Sequence, residues 1–598
     1  MPMLHALSRA RSFVLAGLAA ISLLASSSKA ELPPMLAREV LFGNPERTAP
    51  EISPDGRRIA WLAPDSKNVL QIWVKNTGDR DAKAITRDPK RGIRNYQWAP
   101  DNKTVLYLQD TDGDENFHIY GADPQTGNVR DYTPFQGVRA FIRHTDYKFP
   151  DQILVTVNLR DRRRFDVYRL TLSTGALVLD TEEPGDVNAF FADAQMQVRA
   201  ALAVTPEAGT ELRVRDQARS PWKTWLKAGP DEILNFVAFS PDGQSAILIS
   251  SLGSDTARAI EKNIATGRET VLASSPEVDP SRLLQHPTTH QVQAVGFMPG
   301  RLRWSIVDPA VKEDFEAISK LNDGDFTVIS RDQSDAAWIV SFTSDRGSVR
   351  YYSYERPSRK GSFLFAAQPK LEGLKLGEMK PVAIKSRDGL KLHGYLTLPV
   401  GLPAKQLPMV LYVHGGPWAR DIWGFNPTAQ WFANRGYAAL QVNYRGSTGY
   451  GKKFLSASYK QWGRKMHDDL IDAVDWAVKE GIADPKKVAI YGGSYGGYAA
   501  LAGVTFTPEK FNCAVDIVGP SNLKTFIATI PPYWKRPIWN ARMGNVDDPK
   551  DAELIKNASP LFRADKIVRP LLIGQGANDP RVNRAESEQI VSAIEKRG

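Results

Sequence analysis

Cysteine is nearly absent from this chain. Cys513 stands alone among 598 residues, so no internal disulfide can form. It opens the apolar run Cys513 to Val518, which predicts a buried structural thiol. Low-complexity tracts are lacking, and no apolar run after residue 24 is long enough to span a membrane. Charge of one sign is not concentrated: the 77 Lys and Arg are scattered among 67 Asp and Glu, apart from short runs such as Arg162-Arg163-Arg164. That pattern describes a solvated basic surface and speaks against a nucleic-acid partner. Histidine is scarce and one-sided. His5, His118, His144, His286, His290, His393, His414 and His467 all lie in the first 467 residues.

The first 30 residues differ from the rest. Arg9 and Arg11 precede the apolar run Phe13 to Leu24, and Ser28-Lys29-Ala30 offers a small-x-small cleavage site. Residues 1–30 therefore read as a secretory signal peptide, and the mature protein is expected in a bacterial periplasm with no membrane span. No cysteine follows the cleavage site to carry a lipid anchor. Removal takes Arg9, Arg11 and Lys29 and no acid, lowering the formal charge from +10 to +7.

What remains is long enough for two cores. Over residues 31–371 a turn-plus-strand unit recurs. Ser53-Pro54-Asp55-Gly56 precedes Arg58 to Leu62, Ala99-Pro100-Asp101-Asn102 precedes Thr104 to Leu108, and Ser240-Pro241-Asp242-Gly243 precedes Ser245 to Ser250. Asp55 and Asp101 are 46 residues apart, and Asp242 follows after 141, three similar steps. Weaker copies at Pro150-Asp151, Ala192-Asp193, His286-Pro287 and Arg331-Asp332 bring the set to seven, at the period of β-propeller blades. One blade cannot bury its own faces, but a ring of them can. The aspartates are read as turn formers and not as a site.

From residue 372 to 598 the texture becomes that of an α/β-hydrolase, with a mostly parallel, doubly wound sheet. Lys380 to Lys385 and Leu390 to Leu398 form a hairpin across Arg387-Asp388-Gly389. Met409 to Val413, Tyr437 to Asn443, Lys487 to Tyr491, Cys513 to Val518 and Pro570 to Ile573 read as strands, with helices such as Asp468 to Glu480 between them. The strand at Lys487 runs into Gly492-Gly493-Ser494-Tyr495-Gly496, followed by the helical run Gly497 to Ala502. A serine on such a strand-to-helix turn has a strained backbone and an exposed hydroxyl, so Ser494 is the expected nucleophile. Asp579, in Asn578-Asp579-Pro580-Arg581-Val582 just past a later strand, is the expected acid. A tetrahedral intermediate needs two donors for its oxygen. The backbone N–H groups of Tyr495, after the nucleophile, and of Gly416, in His414-Gly415-Gly416-Pro417, are expected to supply them. A base histidine should follow Asp579, yet the sequence ends 19 residues later at Gly598. The expectation is a C-terminally incomplete domain whose chain as given is inactive.

Two motif lookalikes are set aside, and no metal or other cofactor is expected. Asp110 to Asn116 has its glycine at position four of a calcium loop instead of six, and Gly121 where the closing glutamate belongs. Gly446 to Lys452 resembles a phosphate loop but continues with Lys453 in place of a hydroxyl residue.

Taken together, His414-Gly415-Gly416-Pro417, Asn443-Tyr444-Arg445-Gly446-Ser447, Gly492 to Gly497 and Asn578 to Val582, behind about seven blades, resemble the prolyl oligopeptidase family of serine peptidases, closest to its acylaminoacyl-peptidase-like secreted bacterial branch. The resemblance covers nearly the whole mature chain. It implies hydrolysis of short peptides through an acyl-enzyme, with the propeller keeping folded proteins out. It also implies that Val582 lines the pocket for the residue before the scissile bond, and Tyr533 and Trp534 are further pocket candidates. Two rival readings are a carboxylesterase of the same fold and an exported binding protein that has lost catalysis.

Overall fold

In the computed structural model, residues 31–596 are described; the signal-peptide reading of residues 1–30 lies outside them. Each turn-plus-strand unit becomes the first hairpin of an antiparallel blade. The predicted strands are the second strands of their sheets: Arg58–Pro64, Val105–Gln109, Gln152–Val157, Val198–Val204, Ser245–Ser250, Val292–Phe297 and Ala337–Thr343. Seven separate sheets result, six of four strands and the sixth in order, spanning 280–306, of three. The turn chemistry explains the repeat. Asp55 Oδ1 accepts from Ser53 Oγ at 2.6 Å and from Arg57 N at 3.1 Å, while Gly56 takes φ +72°. Asp242 repeats this with Ser240 Oγ at 2.6 Å and Gln244 N at 3.0 Å. Blade 1 meets blade 7 through Ile52 N donating to Ser330 Oγ at 3.1 Å, which closes the ring.

The hydrolase sheet contains β1 (Met379–Lys385), β2 (Lys391–Thr397), β3 (Leu407–Val413), β4 (Ala438–Asn443), β5 (Ala483–Gly493), β6 (Cys513–Ile517) and β7 (Leu571–Gly574). Its order is β1-β2-β4-β3-β5-β6-β7. β2 runs antiparallel to both neighbours, and every pair from β4 to β7 is parallel. No described helix is long and apolar enough to cross a membrane.

Two expectations need correction. Cys513 is half-buried at the start of β6, not fully enclosed, because this strand lies only one place from the sheet edge. The segment after residue 30 does not begin the propeller. Its helix α1 (Arg38–Phe42) lies on the hydrolase helix α2 (Pro427–Asn434), with Leu36 N donating to Asn434 Oδ1 at 2.7 Å and Asn434 Nδ2 to Pro34 O at 3.0 Å. The first blade strand starts at Thr48. A contact between residues about 400 positions apart leaves no trace in local pattern.

The domains share one apolar core on one side. Ile247, Ile249, Val278 and Phe297 of blades 5 and 6 belong to the same buried cluster as Leu411, Val442 and Tyr450 of the hydrolase.

Candidate active site

Ser494 stands at the end of β5, immediately before the helix α3 (Tyr495–Phe506), with φ 56° and ψ −119°. Positive φ in a non-glycine residue costs free energy and persists only where the surroundings enforce it. Those surroundings are the glycines of the motif. A Cβ on Gly496 would stand 2.1 Å from Val413 O, and one on Gly497 2.2 Å from Asp516 Oδ1. Helix and strands therefore close around the turn, and Ser494 N is fixed by Ile517 O at 2.8 Å. The hydroxyl does not cap its own helix, and the residue is partly exposed.

Tyr495 N–H opens the helix, where first-turn amides have no intrahelical acceptor. The loop 414–417 leaves the end of β3, beside β5 in the sheet. A Cβ on Gly415 would lie 3.4 Å from Ser494 Cβ and 3.1 Å from Gly493 O. Gly416 has φ +129°, which favours glycine. The Tyr495 and Gly416 amides thus arise from two loops that meet at Ser494. Gly415, which the sequence offered without a role, fits because a side chain there would press on the Gly493 carbonyl beside the nucleophile.

Asp579 follows β7, and β7 pairs with β6 so that Gly574 faces Ile517, the residue bonded to Ser494 N. Its Oδ1 accepts from Arg581 N at 2.8 Å and Val582 N at 2.9 Å. Those bonds orient the carboxylate from below and leave Oδ2 available. Asp516, on β6 behind the turn, is a second carboxylate nearby. It is buried, its Oδ2 has no partner, and burial pushes its pKa up to about 7. It packs against Gly497, and its Oδ1 accepts from Gly519 N at 2.8 Å.

Six of the seven described histidines are engaged elsewhere, and the seventh, His144, lies in the propeller with a buried, unpartnered Nε2. His414 stacks on Tyr444 at 4.5 Å, with Nδ1 2.8 Å from Gly415 O and Nε2 3.0 Å from Ser447 Oγ. This explains much of the Asn443 to Ser447 motif: Tyr444 and Ser447 clamp His414. Arg445 pins Asp469 and Asp388 with bonds of 2.7 to 2.9 Å. His467 is buried against Thr507 Oγ1 at 3.0 Å, and burial lowers its pKa to about 4. His393 stacks on Tyr450 at 4.2 Å, and burial lowers it to about 4 as well. His118, His286 and His290 are bonded within the propeller.

The three pocket candidates separate. The Val582 side chain is buried in the hydrolase core, and its amide helps hold Asp579. Trp534 stacks on Trp539 at 4.9 Å, and Trp539 packs edge-on at 5.1 Å against Trp418, two residues after Gly416. Tyr533 turns the other way, to the propeller. Its hydroxyl accepts from Arg139 Nη1 at 2.7 Å, and its ring meets Phe165 edge-on at 6.2 Å. Arg139 also pairs with Glu115 at 3.2 Å, and Glu115 reaches Arg581, two residues from Asp579, at 2.9 Å. Sequence reasoning missed this bridge. Glu115 sits in the rejected calcium-loop lookalike, and only proximity in space gives it a partner.

Comparison with known proteins follows the same lines. Residues 423–598 match the Prolyl oligopeptidase family. Dipeptidyl aminopeptidase BIII of Pseudoxanthomonas mexicana is 42% identical over 573 residues, covering 94% of this chain and 83% of that protein. Dipeptidyl peptidase family member 6 of Caenorhabditis elegans is 31% identical, covering 94% and 82% respectively. Among solved structures, a puromycin-hydrolyzing peptidase of Mycobacterium tuberculosis superposes with a TM-score of 0.75 at 20% identity, over 95% of this chain and 91% of that one, which shows a shared fold. A strained serine elbow under a seven-bladed propeller, with a relative this similar along nearly the whole length, means that the chain belongs to the prolyl oligopeptidase family of serine peptidases.

Proposed function

We propose that this protein cleaves short peptides through an acyl-enzyme on Ser494. The observation that supports the reading is the strained, uncapped Ser494 between β5 and α3, with Gly415 of the loop 414–417 packed against it. Ser494 Oγ attacks the scissile carbonyl carbon and gives its proton to a general base, which the unpartnered Asp579 Oδ2 would orient. The carbonyl oxygen becomes an oxyanion held by the Tyr495 and Gly416 amides, each worth about 3 kcal/mol. Collapse breaks the C–N bond, the base protonates the leaving amine, and water then releases the acyl group. The names of the two full-length relatives favour removal of N-terminal dipeptides. Blades 2 to 4 reach over the cleft through Glu115, Arg139 and Glu183, which supports a size limit on substrates. The leader-like residues 1–30 support export to the periplasm, and cell fractionation tests that part.

The chemistry is tested with a fluorophosphonate probe and a peptide anilide. Ser494→Ala is expected to abolish labelling and turnover; labelling that survives overturns the assignment. Asp579→Asn is expected to lower turnover about 10⁴-fold with an unchanged fold, as a mis-oriented base would. A short-chain ester assayed in parallel separates the esterase reading.

A further inference from the structure

A cavity of about 150 Å³ lies between the inner strands of blades 3 and 4 and the hydrolase segment at Tyr533 and Lys535. Phe141, Phe165 and Phe190 supply its apolar wall. Four cations face it, Arg139, Arg143, Arg163 and Lys535, against one carboxylate, Glu183. Three of the cations are engaged. Arg139 holds Glu115 and Tyr533. Arg163 holds Asp161 at 2.9 Å. Lys535 donates to Gly185 O at 3.1 Å and lies 3.8 Å from Glu183. Glu183 accepts through Oε1 from Gly185 N at 2.8 Å and Val187 N at 2.7 Å, while its buried Oε2 has no partner.

Arg143 differs. Its Nε donates to Thr156 Oγ1 at 2.9 Å and its guanidinium lies 5.1 Å from the Phe141 ring centre, so the head group is held from behind. Among the described residues it has no carboxylate partner, and both terminal nitrogens remain available on an exposed side chain. A planar fork with two parallel N–H donors matches a carboxylate in bidentate fashion. The cavity connects to the catalytic loop through Arg139, Glu115 and Arg581.

We propose that Arg143 is the specificity-determining residue of a carboxylate subsite, which selects peptides carrying an acidic side chain or a free C-terminal carboxylate at the position that reaches this cavity. The inference rests on the peptide reading above. A peptide is what brings a carboxylate into the cleft, and the phenylalanines give its apolar portion a wall beside the fork.

The test is calorimetric binding to the Ser494→Ala protein, which does not need turnover. Alanine tetrapeptide amides with a single Glu at each position are compared with their Gln counterparts, and a free-acid tetrapeptide with its amide. At least one carboxylate peptide is expected to bind about tenfold or more tightly than its neutral partner, as for a charge-assisted hydrogen-bonded pair. Which peptide does so distinguishes a side-chain from a terminal carboxylate. Adding Arg143→Gln should bring that ratio to about one, and Arg143→Lys should retain part of it; thermal melts verify that both fold. Equal binding of all pairs, or a preference that survives Arg143→Gln, overturns the proposal. Peptide binding without any turnover by a protein that carries the base histidine expected after Asp579 would sink the peptidase reading and leave the subsite standing. Turnover without carboxylate preference would sink the subsite alone, and a lack of all peptide binding would sink both.

Discussion

The two sides of the domain interface are built from different chemistry. Toward blades 5 and 6 the propeller and hydrolase share buried apolar residues, reinforced by hydrogen bonds that are themselves enclosed. Asp279 accepts from Ala257 N at 2.6 Å and Gly451 N at 3.2 Å, and its own amide donates to Gly449 O at 3.0 Å. Arg420 reaches Met298 O at 3.0 Å, and Tyr395 reaches Gly300 O at 2.9 Å. Toward blades 2 to 4, apart from the Tyr533 ring against Phe165, the named contacts are polar: Glu115 with Arg581, Arg139 with Tyr533, and Lys535 with Gly185 and Glu183. An apolar seam resists water at any ionic strength, whereas a bridge with an exposed partner, as Glu115 with Arg581, contributes little and is screened by salt. The first side is suited to a hinge and the second to a mouth that opens.

Breaking the apolar side should have the largest effect. Asp279→Ala leaves two amides and a buried gap without an acceptor, and about 2 to 4 kcal/mol of stability should be lost in denaturant unfolding. Two separate transitions, one per domain, are the expected signature. A single transition at the original midpoint would erase the distinction between the sides.

The next effect is in pH dependence. Burial raises the Asp279 pKa above its unfolded value. An acid with a raised folded pKa binds more protons folded than unfolded, so its contribution falls as pH climbs from the unfolded value of about 4 through the folded one. Asp279→Asn should flatten that part of the stability profile, as read from melting temperature against pH.

The smallest stability change belongs to the mouth. Glu115→Gln should alter unfolding free energy by less than about 1 kcal/mol. It should nevertheless raise kcat/KM for long peptides relative to tripeptides, and added salt should mimic it in the unmutated protein. An unchanged ratio of long to short substrates would mean that the Glu115 to Arg581 bridge does not govern access.

Much of the fold was legible in the sequence because the signals were local. The Pro-Asp-Gly turns announce blades since the aspartate and glycine act within four residues, and all seven predicted strands are present. The elbow was legible for the same reason: strand, glycines, serine and helix are contiguous. Less could be read where a side chain acts across the chain. Tyr533 and Trp534 are adjacent and both aromatic, yet one meets the propeller and the other joins the Trp539 and Trp418 stack. Nothing in their local pattern separates them.

The two cofactor lookalikes show the same boundary. One supplies Glu115 to the mouth. In the other, Gly449 and Gly451 meet Asp279, and Lys452 lies 3.2 Å from Glu232. The sequence by itself determined the blade count, the hydrolase order and the strained serine, since each depends on turn geometry and periodic burial within a short stretch. Only the tertiary structure decided which loops became interface, which arginine kept its fork open and which aspartate was enclosed. Those outcomes depend on desolvation and pairing between residues hundreds of positions apart.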